Sequence, residues 1–314
     1  MLHNTGAGSP AFAHNRRVAV MKIVAGLTLV LAALALAPAP SAQAADSKIA
    51  VVAAENFYGG VVQQIGGPQV EVVSVMNNPD QDPHLFETSP AVARELAAAQ
   101  IVIYNGADYD PWMPKLLAAA AHPGRVTIVA ADLVNKKPGD NPHIWYDPPT
   151  MPAVAKAVEQ ALSKADPAHA GEFQARLATF LSSLEPLHEK IEAVRKKYGG
   201  AAVTASEPVF GYMASALGLK MRNEKFQLSI MNDTEPSASD VAAFERDLKE
   251  HKVRIMFFNK QASDKIVQHL VEIAKAAKIP VVGVTETVPP DMTFQQWMLS
   301  EITDTEKALA GPNS

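Results

Sequence analysis

Two histidines in this chain each follow a proline: His84, which closes Asn78-Pro79-Asp80-Gln81-Asp82-Pro83-His84, and His143, in Asn141-Pro142-His143-Ile144-Trp145. Proline fixes the backbone just before each imidazole, and Asp or Asn lies upstream in both. A rigid loop presenting a neutral imidazole suits metal binding, because the ordering entropy is settled before an ion arrives. Carboxylates able to join them occur in Ser206-Glu207-Pro208, in Thr285-Glu286-Thr287 and in Pro290-Asp291. With Glu207 and one acid of the last two, the candidate set is two imidazoles and two carboxylates.

That set is acceptable to Zn²⁺ in tetrahedral geometry. Bidentate carboxylates would raise the coordination number and suit Mn²⁺ or Fe²⁺. Ligand identity leans toward manganese, whereas intrinsic affinity favours zinc. The chain has no cysteine, and no methionine cluster flanks the candidate ligands, which argues against Cu(I). His122, His169, His188, His251 and His269 lie in loops or on charged helical stretches and read as structural or solvated. Phosphate-binding, dinucleotide-binding, nucleophile-elbow and zincin motifs are missing from the sequence, so an enzyme is not expected.

The elements that must position these groups alternate short β-branched runs with helical patterns, the mark of parallel sheets. Strands are expected at 48–53, 70–75, 101–104 and 126–129, with helices at 57–65, 89–99 and 151–165. One long helical stretch then runs from about 168 to 198. Its apolar stripe (Leu177, Leu181, Leu184, Leu187, Ile191, Val194) is interrupted by Pro186, which should kink it, and closed by Gly199-Gly200. Strands at 202–205, 255–259 and 281–284 follow, with helices at 209–217, 237–250, 262–277 and 293–310. The expected fold is α/β: two α/β lobes with parallel sheets, residues 45–166 and 201–314, joined by one long rigid helix over 167–200. Ligands of such sheets bind beyond the carboxyl ends of the strands. The segments carrying His84, Glu207, Glu286 and Asp291 follow strands, and His143 lies in a loop well after the fourth.

Residues 1–45 hold no Asp or Glu. From Met21 the chain carries Lys22, an apolar run over 23–36, a Pro-rich stretch and Ala42-Gln43-Ala44, the layout of a secretory signal ending in an A-x-A cleavage site. The run falls short of the about 20 residues a membrane helix needs. Residues 21–44 are therefore expected to be a signal peptide and 1–20 an upstream extension, with export to the periplasm. Without cysteine there is no lipid anchor through that residue and no disulfide framework. Removal of 1–44 leaves 25 basic against 33 acidic residues, a net charge of −8 where the whole chain has −5. Such a chain repels nucleic acid and anionic membranes and is compatible with a cationic ligand.

Over about 47–309 the sequence resembles the metal-specific solute-binding proteins of ABC importers, the group that carries zinc, manganese or iron. The residues carrying the resemblance are Asp82-Pro83-His84, Asn141-Pro142-His143-Ile144-Trp145, Ser206-Glu207 with Phe210-Gly211-Tyr212, Glu235-Pro236-Ser237, and Phe258-Asn259-Lys260-Gln261. The resemblance implies two lobes bridged by a rigid helix with one metal ion in the cleft, delivered to an inner-membrane permease by a monomer. It places His84 and His143 on two histidine ligands and Glu207 on a third that is His or Glu. The fourth is a carboxylate near the start of the last helix, where register favours Asp291 and proximity to the last strand favours Glu286. The long His- and acid-rich loop of many zinc importers is absent before His143. Binding needs both imidazoles neutral, so affinity should fall below about pH 6. Rival readings are a metallochaperone or adhesin of the same family, a zinc hydrolase, and a binding protein for another solute. The last would want more aromatics than six Tyr and three Trp.

Overall fold

The computed structural model describes residues 48–311 except 81, 82, 84, 85 and 263. The expected signal segment and His84 lie outside the described residues. The first sheet contains β1 (Ile49–Glu55), β2 (Val70–Met76), β3 (Ile101–Tyr104) and β4 (Val126–Val129) in the order β2-β1-β3-β4. The second contains β5 (Ala202–Ala205), β6 (Lys220–Arg222), β7 (Met256–Asn259) and β8 (Val281–Val284) in the order β6-β5-β7-β8. Every pairing is parallel, and the two sheets repeat one strand order. In each, the third strand lies between the first and the fourth, which fixes what can meet at the carboxyl ends.

Local chemistry accounts for the elements. β1 reads IAVVAAE and is buried along almost its whole length, as a strand covered on both faces must be. Ser89 caps the helix Pro90–Ala98 by accepting the Val92 N–H, and Ser237 caps Ala238–Lys249 through the Asp240 N–H. Thr293 and Gln296 form a reciprocal capping box at the start of the last helix, Phe294–Ala310. β6 and the helices Trp112–Ala119 and Glu224–Met231 were not expected from the sequence. β6 is three residues long with charged Lys220 and Arg222, and it sits at a sheet edge, where a short polar strand suffices.

The bridging stretch is two helices, Ala170–Ser183 and Glu185–Tyr198, which meet at Leu184. Pro186 stands in the first turn of the second, has no N–H to donate and so leaves the Ser182 carbonyl without its helical partner. The kink expected at Pro186 is thus a break between two successive helices. Both halves are held: Arg176 donates to the Gly66 carbonyl at 3.1 Å, and Lys190 pairs with Glu306 on the last helix.

Between the sheets lies an apolar seam. Phe57, Trp145 and Trp297 stack with centroids 4.7 and 6.1 Å apart, and Tyr146 meets Phe210 and Trp297 edge-on. One buried cluster runs through residues of both sheets and the bridge. Among the described residues no helix is long and apolar enough to cross a membrane.

Candidate metal centre

Glu207 follows β5, Asn259 ends β7 and Glu286 lies just beyond β8, so the strand order places the asparagine between the two glutamates. The Asn259 amide donates to Glu207 Oε2 at 2.5 Å and to Glu286 Oε1 at 2.7 Å. Its own Oδ1 accepts the Gln261 N–H at 3.0 Å, which fixes which way the amide faces. Pro208 starts the short 3₁₀ turn that Glu207 leads into, with Glu207 itself extended at φ −143° and ψ 163°. Gln261 Oε1 accepts the Glu286 backbone N–H at 2.5 Å.

His143 reaches the same place from the first lobe. Asn141 Nδ2 donates to the Pro208 carbonyl at 2.8 Å, so its Oδ1 is the atom facing His143. That oxygen accepts both the His143 backbone N–H at 3.1 Å and ring Nδ1 at 2.7 Å. Nδ1 therefore carries a hydrogen, and Nε2 is the metal-competent nitrogen. Nε2 lies 3.1 Å from Glu286 Oε2, with both side chains fully buried. The Tyr109 hydroxyl donates to the same oxygen at 3.0 Å, and burial together with the Glu286 carboxylate pushes that phenol well above its ordinary pKa. An imidazole nitrogen against a buried carboxylate oxygen is a place where a proton is shared, and where a cation can take the proton's part.

Of the residues singled out in the sequence, His143, Glu207 and Glu286 converge here. Asp291 does not: it sits in an exposed turn at φ 61°, and the cap of the last helix is Thr293. Among the described residues no three of His, Asp or Glu converge closely enough to hold an ion by themselves. His143 and Glu286 touch, and Glu207 joins them through the Asn259 amide. His84 follows Pro83, which lines a narrow gap with Thr287, the neighbour of Glu286.

The lobe contacts around this cluster are polar and specific. Asn56 donates to the Val288 carbonyl at 2.9 Å and accepts its N–H at 3.0 Å, two residues beyond Glu286. The Tyr146 hydroxyl lies 2.7 Å from the Thr285 carbonyl and 2.6 Å from Glu301 Oε2. The single Tyr146 hydrogen is thus shared between the Thr285 carbonyl and the Glu301 carboxyl, both acceptors. Against the lowering effect of the Tyr146 bond, burial raises the pKa of Glu301 to about 7. Its other oxygen accepts Trp297 Nε1–H at 2.9 Å and the Thr285 N–H at 3.1 Å.

Sequence reasoning gave no role to Tyr109, Gln261 or Asn259, although Asn259 and Gln261 fall in one of the motifs. The signal that could have found Asn259 was its place at the end of the strand running between the two glutamate-bearing ones.

The family described as "Zinc-uptake complex component A periplasmic" matches residues 51–308. A putative metal-binding protein of Treponema pallidum (strain Nichols) is 24% identical over 277 residues, which span 82% of this chain and 86% of that one. The manganese-binding lipoprotein MntA of Bacillus subtilis (strain 168) is 26% identical over 244 residues, 74% of this chain and 78% of the relative. Among solved structures, the periplasmic zinc binding protein TroA from Treponema pallidum superposes with a TM-score of 0.69 at 19% identity, covering 84% of this chain and 99% of that chain. At that identity the likeness is one of fold.

Proposed function

This chain belongs to the family of periplasmic A components of zinc-uptake complexes, and from that premise we propose that it captures one divalent transition-metal ion, Zn²⁺ or Mn²⁺, and delivers it to the inner-membrane permease of an ABC importer. The ligands are His84, His143, Glu207 and Glu286. The observation that carries the reading is the 3.1 Å approach of His143 Nε2 to Glu286 Oε2, buried between the carboxyl ends of two sheets and flanked by Glu207. Of the two acids near the last helix, Glu286 is chosen because it lies in this cluster and Asp291 is exposed.

The chain's own residues explain capture without bond chemistry. Asn141 holds His143 in the tautomer that offers Nε2, and Asn259 with Gln261 holds both glutamates. An arriving cation displaces the proton between His143 and Glu286, so binding releases protons and weakens as the medium acidifies. The aromatic seam and the Asn56–Val288 contact favour small adjustments around the ion over a wide hinge closure. Export through the 21–44 signal, cleavage after Ala44 and function as a monomer belong to the same proposal. An open groove of about 590 Å³ runs beside Asn56, Val288 and Met292, with no His, Asp or Glu among its described lining residues.

The test is native mass spectrometry on chelator-stripped protein offered equal Zn²⁺ and Mn²⁺. One ion per chain is expected, lost in His143→Ala, Glu207→Ala and Glu286→Ala and retained in Asp291→Ala. Retention in Glu286→Ala with loss in Asp291→Ala would reverse the choice of fourth ligand. No ion in the unaltered protein would end the capture reading.

A further inference from the structure

Phe210-Gly211-Tyr212 is one of the segments that carry the sequence resemblance, and the capture reading gives it no work to do. It opens the short helix Gly211–Ala216 just after Pro208 and lies against Asn141, two residues before His143. The Tyr212 hydroxyl donates to the Asn141 carbonyl at 2.8 Å, and Asn141 Nδ2 donates to the Pro208 carbonyl at 2.8 Å. Gly211 gives the room for this approach. Its φ of −56° suits any residue, yet a Cβ there would stand 3.1 Å from Asn141 Nδ2, closer than ordinary van der Waals contact. On the other side, Lys136 Nζ lies 4.2 Å from the Tyr212 ring centroid and holds the tyrosine against the first lobe.

These contacts run from the second lobe to the His143 ring. With Nδ2 given to Pro208, Asn141 Oδ1 is left for ring Nδ1–H at 2.7 Å and the His143 backbone N–H at 3.1 Å. An amide turned over would set its N–H groups against those two donors and its oxygen against a carbonyl. We infer that Tyr212 is a positioning residue: with Gly211 it fixes Asn141 from the opposite lobe, so that the lobe contact and the presentation of His143 Nε2 are one event. Separating the lobes frees the Asn141 amide, and with it the ring, and so lets the ion go. Release in this way rests on the capture reading; the hold on the ring does not.

The experiment has two arms. In the first, ¹⁵N-resolved NMR of chelator-stripped, histidine-labelled protein follows the His143 Nδ1–H, assigned by its loss in His143→Gln. In the second, the dissociation rate of Zn²⁺ into excess chelator is measured. Both are run on Tyr212→Phe, on Gly211→Ala and on Asn56→Ala, which cuts a lobe contact that does not touch Asn141. The unaltered protein should show an engaged Nδ1–H, exchanging with water faster in Tyr212→Phe and Gly211→Ala and unchanged in Asn56→Ala. Zn²⁺ should leave Tyr212→Phe about 5-fold faster, the factor one net hydrogen bond is worth, and Gly211→Ala should move the same way. Tyr212→Phe keeps the ring and carries the test if Gly211→Ala does not melt cooperatively. An Nδ1–H indifferent to both variants would overturn the inference, as would its absence from the unaltered protein. Equal acceleration in Asn56→Ala would reduce the effect to a general loosening of the lobes and overturn it too. Faster exchange with an unchanged Zn²⁺ rate would overturn the release step. If the unaltered protein bound no Zn²⁺, the capture reading and the release step would fail, while the NMR arm would still decide the hold on the ring.

Discussion

In the first sheet Glu55 closes β1 and Asn105 follows β3; in the second, Glu207 follows β5 and Asn259 closes β7. An acid and an asparagine thus hold matching places in two sheets of identical strand order, yet they do different work. Asn105 Oδ1 accepts the Tyr58 hydroxyl at 2.7 Å, and its Nδ2 donates to the Pro142 carbonyl at 2.8 Å, which steadies the loop presenting His143. The Glu55 carboxyl, wholly buried, lies against the carboxyl of Asp110. Asp110 in turn accepts the Asn105 N–H at 2.6 Å and the Gly106 N–H at 2.9 Å. Burial first, and then Asp110, pushes the Glu55 pKa well above the carboxylate range, while burial raises Asp110 to about 6. Two buried carboxyls side by side share a proton. In the second lobe the asparagine amide faces the acids themselves and donates to one oxygen of each, with an imidazole against Glu286. What the asparagine faces, and not its place in the topology, separates a structural acid from a proposed ligand.

The sharpest break in that comparison pairs Glu207→Gln with Glu55→Gln. The first should cost more than about 100-fold in metal affinity, beyond the loss typical of an orienting partner. The second should leave affinity within about 2-fold, because a neutral amide replaces a carboxyl that is already protonated. Isothermal titration with Zn²⁺ reads both, and a large loss in Glu55→Gln would erase the distinction between the lobes.

Next in size is the seam that joins the lobes. Burial raises the Glu301 pKa in the fold from 4.5 to about 7. Its stabilising contribution is therefore complete below pH 4.5 and is lost as the pH rises through about 7. Denaturant unfolding of the metal-free protein should show roughly 3 kcal/mol of decline attributable to this group across that window. Glu301→Gln has no group to titrate there and keeps an acceptor toward Trp297, so its stability should change less over the same range. A decline as steep as the unaltered protein's would place the titrating group elsewhere, Asp110 being the first alternative.

The smallest effect concerns Asn56, whose amide holds both backbone groups of Val288 across the lobes. Asn56→Ala should lose about 1–2 kcal/mol of stability, the worth of two net hydrogen bonds. It should weaken metal binding only modestly, since Glu286 keeps Tyr109, Asn259 and Gln261. Thermal melting with and without Zn²⁺ separates the two effects. A loss of affinity as large as that of Glu207→Gln would mean that the lobe contact, and not the amide of Asn259, sets the position of Glu286.

Much of the fold was legible in residue order. The β-branched runs at Ile101–Tyr104, Val126–Val129, Ala202–Ala205 and Val281–Val284 gave strand bounds directly, because buried parallel strands are written in contiguous apolar residues. β6 was hidden because an edge strand needs one partner and tolerates Lys and Arg. The break at Leu184 was foreshadowed by Pro186, but whether a proline kinks a helix or ends it depends on what packs against each half. At the site, Pro142-His143 and Ser206-Glu207 announced themselves by type and by place after strands, whereas Asp291 and Glu286 could not be separated by counting along the chain.

What the sequence determined by itself is the chemistry on offer: imidazoles on proline-fixed loops, acids beyond strand ends, and no thiol. Its apolar periodicity also fixed two parallel-sheet lobes with a helical bridge. The tertiary structure alone decided which acid of the last segment meets His143, which nitrogen of that ring faces it, and that one asparagine amide lies between two glutamates. The physical reason is that such choices depend on lateral strand order and on turns a few ångströms wide. Residues 52 and 27 positions apart become hydrogen-bonded neighbours only when β7 lies between β5 and β8.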